Sequence, residues 1–447
     1  MIKKTGFRNY SVAELFCGCG GFSHGFWRSG RFRTVLGNDV KKFALQTFKV
    51  NHTHDGYEPA TIEKDIRTVA DSEIAELLRS KGVENLDCLL GGPPCQGFSQ
   101  MRRTEGRRGS KIARFGGYNK LDQDPRNDLV LRFLEIGAAL NPKVIVIENV
   151  PQFLSHFHDG KRGGIAQQVE EILAELGYET SCGILNAADY GVPQLRQRAV
   201  IVASRVGKIT LPMPTHGERE LLVGRGGQEW VTVEEAIGDL PTYPPFRDSL
   251  GGQANGFVRP AQSAFAKKMR TSKKFPFNHI TRTYQKRIID IIQKMKPGET
   301  WDEASERMRR QFDALAAKAI SNGETVAGAR KRLTKDGKIL PAFYKRYYWS
   351  AYTRLAPNRP ALTITANSNF LGSGRFTHPE VDRGITMREA ARLQSFDDAF
   401  TFITSDVAEQ STENIGVGLD MIGEAVPPLL ARAIAETVAV HLDERGS

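Results

Sequence analysis

Ser11-Val12-Ala13-Glu14-Leu15-Phe16-Cys17-Gly18-Cys19-Gly20-Gly21-Phe22 is the stretch on which the fold turns. Residues 11–16 form a short apolar run of strand length, and the glycines behind them permit a sharp backbone turn at the opening of a helix. Outward from this stretch the same alternation repeats. Apolar runs at 34–37, 86–90, 143–148 and 199–203 read as buried strands, and 42–50, 72–80, 128–140 and 165–176 carry helical spacing between them. Strands alternating with helices predict an α/β fold with a parallel sheet covered on both faces. Ligands of such sheets lie beyond the carboxyl ends of the strands, so the functional residues are expected in the loops there.

Beyond Leu211 the pattern breaks up. Prolines gather at Pro212, Pro214, Pro241, Pro244 and Pro245, and glycines at Gly224, Gly226, Gly227, Gly251 and Gly252. The basic and aromatic stretch Lys345-Arg346-Tyr347-Tyr348-Trp349 follows. These features predict a second, smaller domain of irregular architecture. Helical spacing returns at Thr386, and 426–442 reads as a terminal helix. The expected organisation is one domain built from 1–210 plus 385–447 and a second from 211–384.

The net charge is +11, and it is unevenly placed. Between Lys208 and Arg375 there are 29 Lys+Arg against 15 Asp+Glu, a surplus larger than that of the whole chain. Such a segment suits a polyanion, because each neutralised phosphate releases counterions. The five cysteines, Cys17, Cys19, Cys88, Cys95 and Cys182, include no CxxC pair. They make a poor disulfide framework and a poor metal site, so a reducing cytoplasm and no metal are expected. No apolar run approaches the roughly 20 residues of a membrane span. Met1-Ile2-Lys3-Lys4 is basic, but no continuous apolar stretch follows it, and no signal peptide is expected.

The glycine loop, 16–21, lets the backbone approach a ligand closely. Asn38-Asp39 ends the next strand, where a carboxylate can accept hydrogen bonds from ribose hydroxyls. Asp65-Ile66 is a polar–apolar pair suited to an adenine edge and face. Either aspartate has turn or helix-cap duty as its alternative. Gly91-Gly92-Pro93-Pro94-Cys95-Gln96-Gly97-Phe98-Ser99 holds a cysteine rigidly after the strand at 86–90. Cys88 and Cys182 lie within or beside apolar runs and read as inert core thiols.

Pro94-Cys95-Gln96 resembles the nucleophile motif of the cytosine-5 DNA methyltransferases, of the bacterial restriction–modification type. Phe16-Cys17-Gly18-Cys19-Gly20-Gly21 resembles that family's cofactor loop, Glu148-Asn149-Val150 its ENV motif and Gln194-Leu195-Arg196-Gln197-Arg198 its QxRxR motif. Arg359-Pro360-Ala361-Leu362-Thr363-Ile364, Arg383-Gly384-Ile385-Thr386, Arg388-Glu389-Ala390-Ala391-Arg392-Leu393-Gln394-Ser395-Phe396 and Gly423-Glu424-Ala425-Val426-Pro427-Pro428 resemble its later segments, in order. The resemblance implies a Rossmann-like sheet that binds S-adenosylmethionine. Phe16, Gly18, Gly20, Gly21, Asp39, Val40, Asp65, Ile66, Pro94, Glu424 and Val426 are the cofactor-binding positions it implies. The family usually has Asn where this chain has Glu424, which puts cofactor affinity in question.

Chemistry gives the same set a rationale. C5 of cytosine is a weak nucleophile, and adding a thiolate, here Cys95, at C6 converts the ring to an enamine that can attack a methyl donor. Glu148, as a protonated carboxyl, is the expected donor to N3. The resemblance places Arg198 at the cytosine O2, while Arg196 is expected to brace the nucleophile loop. Neither C5 nor C6 is accessible inside a duplex, so the base must be extruded. Gln100 to Lys120, with seven basic residues against one acidic, reads as a closing loop, and Arg126 behind it as structural. The segment 211–384 is the expected target-recognition domain for double-stranded DNA. A monomer, with a separate cognate restriction endonuclease, is the expected setting. The alternatives are an RNA cytosine-5 methyltransferase and a catalytically silent DNA-binding protein.

Overall fold

The computed structural model describes residues 10–54, 56–94, 127–155, 157–158, 161–222, 226–242, 260–271, 277–405 and 414–445. Cys95, Arg126 and the expected closing loop lie outside these residues. The chain divides into two units by packing. The first is Met1–Trp230 with Thr401–Ile403 and Ala425–Ser447, and the second is Val231–Phe400 with Thr404–Glu424.

The first unit is built on seven strands: β1 (Tyr10–Leu15), β2 (Phe32–Asn38), β3 (Ala60–Ile62), β4 (Cys88–Gly91), β5 (Val144–Asn149), β6 (Glu179–Asn186) and β7 (Gln197–Ser204). Their order in the sheet is β3-β2-β1-β4-β5-β7-β6. The first five run parallel, and β7 lies antiparallel between β5 and β6. Successive side chains of the central strands go to opposite faces, as strand geometry requires. Ala13, Leu89 and Ile145 pack on one face with helices α3 (Asp71–Ser80), α4 (Asn127–Leu140) and α5 (Gly164–Glu175). Val12, Leu90 and Val146 pack on the other with α1 (Gly21–Arg28) and the C-terminal α13 (Pro428–Arg445). A sixth helix, α2 (Lys42–His52), follows β2. The apolar side chains of α13, including Leu430, Ile434, Val438 and Leu442, are spent on this core.

Two strands escape the sequence pattern. β3 is only three residues long, and β6 is the sheet edge, where three of eight residues are exposed, one is buried and no apolar run forms. The edge position also corrects the reading of Cys182, which is exposed rather than in the core. Burial of its immediate surroundings still raises the thiol to about 11, so it is a poor nucleophile.

The second unit carries more helix than the sequence suggested. After the short helices α6 (Val233–Ile237), α7 (Ala264–Met269) and α8 (Lys286–Ile292) comes α9 (Trp301–Ser321), a helix of 21 residues, followed by α10 (Val326–Lys335). Trp301, Ala304, Met308, Phe312, Ala316 and Ala319 are buried at helical spacing, and Thr300 with Glu303 closes a capping box at the start. The many charged residues between the apolar ones hide this stripe. The packing division also differs from the expected boundary at 385. Helices α11 (Met387–Leu393) and α12 (Ile415–Glu424) belong with the second unit. The reason is a set of buried polar contacts. Arg392 donates to the Ala236 carbonyl (2.9 Å) and pairs with Asp398 (2.6 Å) and Asp239 (3.1 Å), and Arg388 donates to the carbonyls of Phe277, Asp397 and Phe400. Burial alone would raise the Glu389 carboxyl, but two bonds from the Arg383 guanidinium hold it well below the usual range.

Candidate active site

Strand register brings the sequence-predicted residues of the first unit to one edge. Leu15 is level with Asn38 and with Gly91, Asn38 with Ile62, and Gly91 with Ile147. The glycine loop, Asp39, Asp65, Pro93-Pro94 and Glu148 therefore all lie at the carboxyl ends of parallel strands. That edge is where open α/β sheets bind ligands.

The glycine loop needs its glycines. Gly18 and Gly20 have φ of +53° and +88°. A Cβ on Gly20 would lie 2.6 Å from a carbon of His52 and 2.7 Å from one of Phe48, whereas a Cβ on Gly18 would meet no atom within 4 Å. The Gly18 N–H donates to Asp39 Oδ2 (2.8 Å), and Asp39 Oδ1 accepts from the Lys41 N–H (2.8 Å). Asp39 thus fixes the loop as well as ending β2. Val40 beside it is apolar yet 62% exposed, and Phe16 is half-buried with φ +57°. Gly21 is buried at the first turn of α1. Open space over Gly18 beside an exposed apolar Val40 suits an adenosine-bearing cofactor.

Asp65 caps a short turn, accepting from the Arg67 N–H (3.0 Å) and pairing with the Arg67 guanidinium, which holds its carboxyl below the usual range. The Ile66 side chain is buried in the core. Val426 is likewise buried, packed in the core beneath α1. Glu424, the last residue of α12, is exposed.

Glu148 stands at the end of β5, directly across from Val200 of β7. Arg198, two residues earlier on β7, shares the face of Val200 and reaches Glu148 diagonally. Its Nε lies 2.7 Å from Glu148 Oε1, with both side chains nearly buried at 13% and 12% exposure. Burial lowers the Arg198 guanidinium, and Glu148 opposes that shift. A Cβ on Gly92 would lie 3.4 Å from Glu148 Oε2, so the chain leading to Cys95 passes directly by the carboxylate. Asn149 Nδ2 donates to the Pro93 carbonyl (3.1 Å) and fixes that approach. Pro94 is half-buried behind it. Arg196 is buried, its Nη2 donating to the Ala425 carbonyl (3.1 Å) and its backbone N–H to Asn186 Oδ1 (3.2 Å). Burial, with the Arg198 charge next, pushes its guanidinium well down.

Sequence reasoning missed the polar cluster beneath the glycine loop. Glu14, buried in β1, accepts from the Ser23 N–H (2.9 Å), and burial raises its carboxyl to about 8. His52 Nδ1 faces the Phe48 carbonyl (2.8 Å), which leaves Nε2 to accept from the Ser23 hydroxyl (3.0 Å). Burial lowers His52 to about 3, so it is neutral. The available signal was Glu14 itself, a carboxylate inside an otherwise apolar strand. Cys17 and Cys19 are buried, and burial first of all raises Cys17 well above an ordinary thiol. Among the described residues, no cluster of three or more His, Cys, Asp or Glu could hold a metal ion.

Five parallel strands extended by an antiparallel pair, a glycine loop after β1 and an acid–arginine pair at the end of β5 define a Rossmann-like S-adenosylmethionine-dependent methyltransferase. The comparisons with known proteins agree. The profile of C-5 cytosine-specific DNA methylases matches residues 10–439, and the chain belongs to that family. It is 30% identical to the type II methyltransferase M.DdeI of Desulfomicrobium norvegicum, over 97% of this chain and 89% of that one. It is also 30% identical to the type II methyltransferase M.AgeI of Thalassovita gelatinovora, over 96% and 99%. In fold it is similar to a "putative DNA modification methyltransferase" from an Escherichia coli prophage, with TM-score 0.64, 20% identity and coverage of 97% and 100%. The protein is a DNA (cytosine-5)-methyltransferase.

Proposed function

We propose that this enzyme methylates C5 of cytosine within a specific double-stranded DNA sequence, on an extruded base, through a covalent bond between Cys95 Sγ and C6. S-adenosylmethionine, when bound, supplies an electrophilic methyl group on a sulfonium. Phe16, Gly18, Gly20, Gly21, Asp39 and Val40 would cradle it at the ends of β1 and β2, with Asp65 and Ile66 at the end of β3. Pro94, Glu424 and Val426 are the other positions assigned to it, and the exposed Glu424 carboxylate is the unusual one.

The observation that carries this reading is the Glu148–Arg198 pair beside Gly92, with Asn149 holding the Pro93 carbonyl. The pair offers one acceptor–donor edge and one cationic donor in a nearly dry site, matching N3 and O2 of a cytosine. Cys95 Sγ adds to C6, and a proton at Glu148 offsets the charge gathering at N3. C5 then takes the methyl group, its proton leaves to a base or water, and the thiolate departs as the C5–C6 double bond reforms. Arg198 holds O2 throughout, and Arg196 braces the nucleophile loop. A base entering this site must share Glu148 with Arg198.

The segment from 211 to 384 is the proposed target-recognition region, and its surplus of Lys and Arg suits duplex phosphates. The basic stretch from Gln100 to Lys120 is assigned to closing over DNA. In this reading, which goes with the likeness to type II methyltransferases, the protein is a monomeric modification enzyme of the bacterial cytoplasm that protects DNA from a separate endonuclease.

Incubation with DNA carrying 5-fluorocytosine tests the reading, because fluorine at C5 blocks the last elimination. A denaturation-resistant protein–DNA adduct that needs S-adenosylmethionine and is absent in Cys95→Ala is expected. No adduct on DNA of mixed sequence would overturn it.

A further inference from the structure

In the second unit, residues 345–349 form an arch over the buried Trp301. The Trp301 backbone N–H donates to the Trp349 carbonyl (2.6 Å), and its indole N–H donates to the Lys345 carbonyl (3.3 Å), so both ends of the arch are pinned. Tyr347 is held edge-on against Trp301 (4.9 Å between ring centres) and against Tyr352 (5.5 Å), and Trp301 itself stacks on Phe343 (5.1 Å). Tyr348 at 55% and Trp349 at 50% exposure are the most open rings of the arch, with Tyr347 at 38%. Lys345 and Arg346 are exposed beside them, and among the described residues no carboxylate pairs with either. The Arg375 guanidinium lies 5.5 Å from the Trp349 ring centre and is itself held by Thr353 Oγ1 and the Gly298 carbonyl.

Exposed tryptophan and tyrosine surface does nothing for the stability of the unit. Carried on a pinned backbone and with few rotatable bonds of their own, these rings lose little entropy on meeting a partner. Three cations around them select for a polyanion that also presents flat apolar faces. Nucleic acid has both properties, and stacking on one aromatic side chain is worth about 1–3 kcal/mol per base.

We infer that the arch is a DNA-contact element of the enzyme. Trp349 and Tyr348 pack on deoxyribose faces or on bases unstacked from the duplex, and Lys345 and Arg346 contact the flanking phosphates. The inference rests on DNA being the substrate.

The test uses the full enzyme and unmethylated plasmid DNA. Of the four tryptophans, Trp349 is the exposed one, while Trp301 is buried and Trp27 and Trp230 are partly so. DNA is expected to quench tryptophan fluorescence in the wild type and in Trp230→Phe, and to lose most of that quenching in Trp349→Phe. Trp349→Ala is expected to raise the KM and Kd for DNA roughly 5- to 150-fold, with the effect on KM rather than kcat, and Trp349→Phe to restore most of it. The double variant Lys345→Ala/Arg346→Ala is expected to lower the slope of log affinity against log salt by about two. Wild-type KM in Trp349→Ala, or quenching that persists in Trp349→Phe, overturns the arch while leaving the methyltransferase reading intact. A wild-type enzyme that methylates no DNA overturns that reading instead.

Discussion

Gly20→Ala and Gly18→Ala place the same methyl group on neighbouring points of one loop and should fail differently. Both positions have left-handed φ, at +88° and +53°, which costs a residue with a Cβ about 1–2 kcal/mol. At Gly20 the methyl would also press within 2.6–2.7 Å of His52 and Phe48, both fully packed. Overpacking of that kind adds about 1–3 kcal/mol. Gly20→Ala is therefore expected to lose about 2–5 kcal/mol in denaturant unfolding, and Gly18→Ala about 1–2. The order should reverse for the ligand. At Gly18 the methyl projects into open space assigned to the cofactor, so calorimetric titration should show S-adenosylmethionine affinity falling at least tenfold while the protein stays folded. Equal destabilisation by the two variants would refute the role of His52 and Phe48 packing. Unchanged cofactor affinity in Gly18→Ala would refute the cradle.

Three further outcomes follow from the site. Arg198→Ala strands the nearly buried Glu148 without its partner, and should cost about 1–3 kcal/mol of stability and at least about 100-fold in methyl transfer, read by tritium incorporation. Asn149→Ala removes the bond to the Pro93 carbonyl, costing about 1 kcal/mol but a larger share of turnover, which single-turnover rates on bound DNA would separate from binding. Glu14 is raised by burial from 4.5 to about 8, so folding binds a proton there. Its contribution is full below pH 4.5 and is lost as pH rises through about 8, up to about 4–5 kcal/mol. Glu14→Gln should therefore gain stability relative to wild type as pH rises from 4.5 to about 8, and a constant difference across that range would contradict this.

Local pattern carried far in this chain. Five of the seven strands are apolar runs because each is buried on both faces of a covered sheet, and such a run is visible within a few consecutive residues. Helices α2 to α5 showed for the same local reason, and the ordered motifs named the chemistry. The failures were of two kinds. Where water or charge dilutes the apolar signal, elements disappear: β6 at the sheet edge, with Cys182 on it, and α9 beneath its charged face. The three-residue β3 is too short to carry a pattern at all.

The other kind concerns partners. By itself the sequence determined that Glu148, Arg196, Arg198 and Asp39 exist at strand ends. Only the tertiary structure decided that Arg198 pairs with Glu148 and that Asp39 holds the Gly18 N–H. It alone put Arg388 and Arg392 in the interior and drew α11 and α12 into the second unit. Burial of a long apolar stretch follows from its own composition, because the hydrophobic effect is non-directional and acts wherever apolar area leaves water. A hydrogen-bonded or ionic pair is directional and is satisfied only at one register. The register of β7 on β5 joins residues some 50 positions apart and is set by every side chain along both strands.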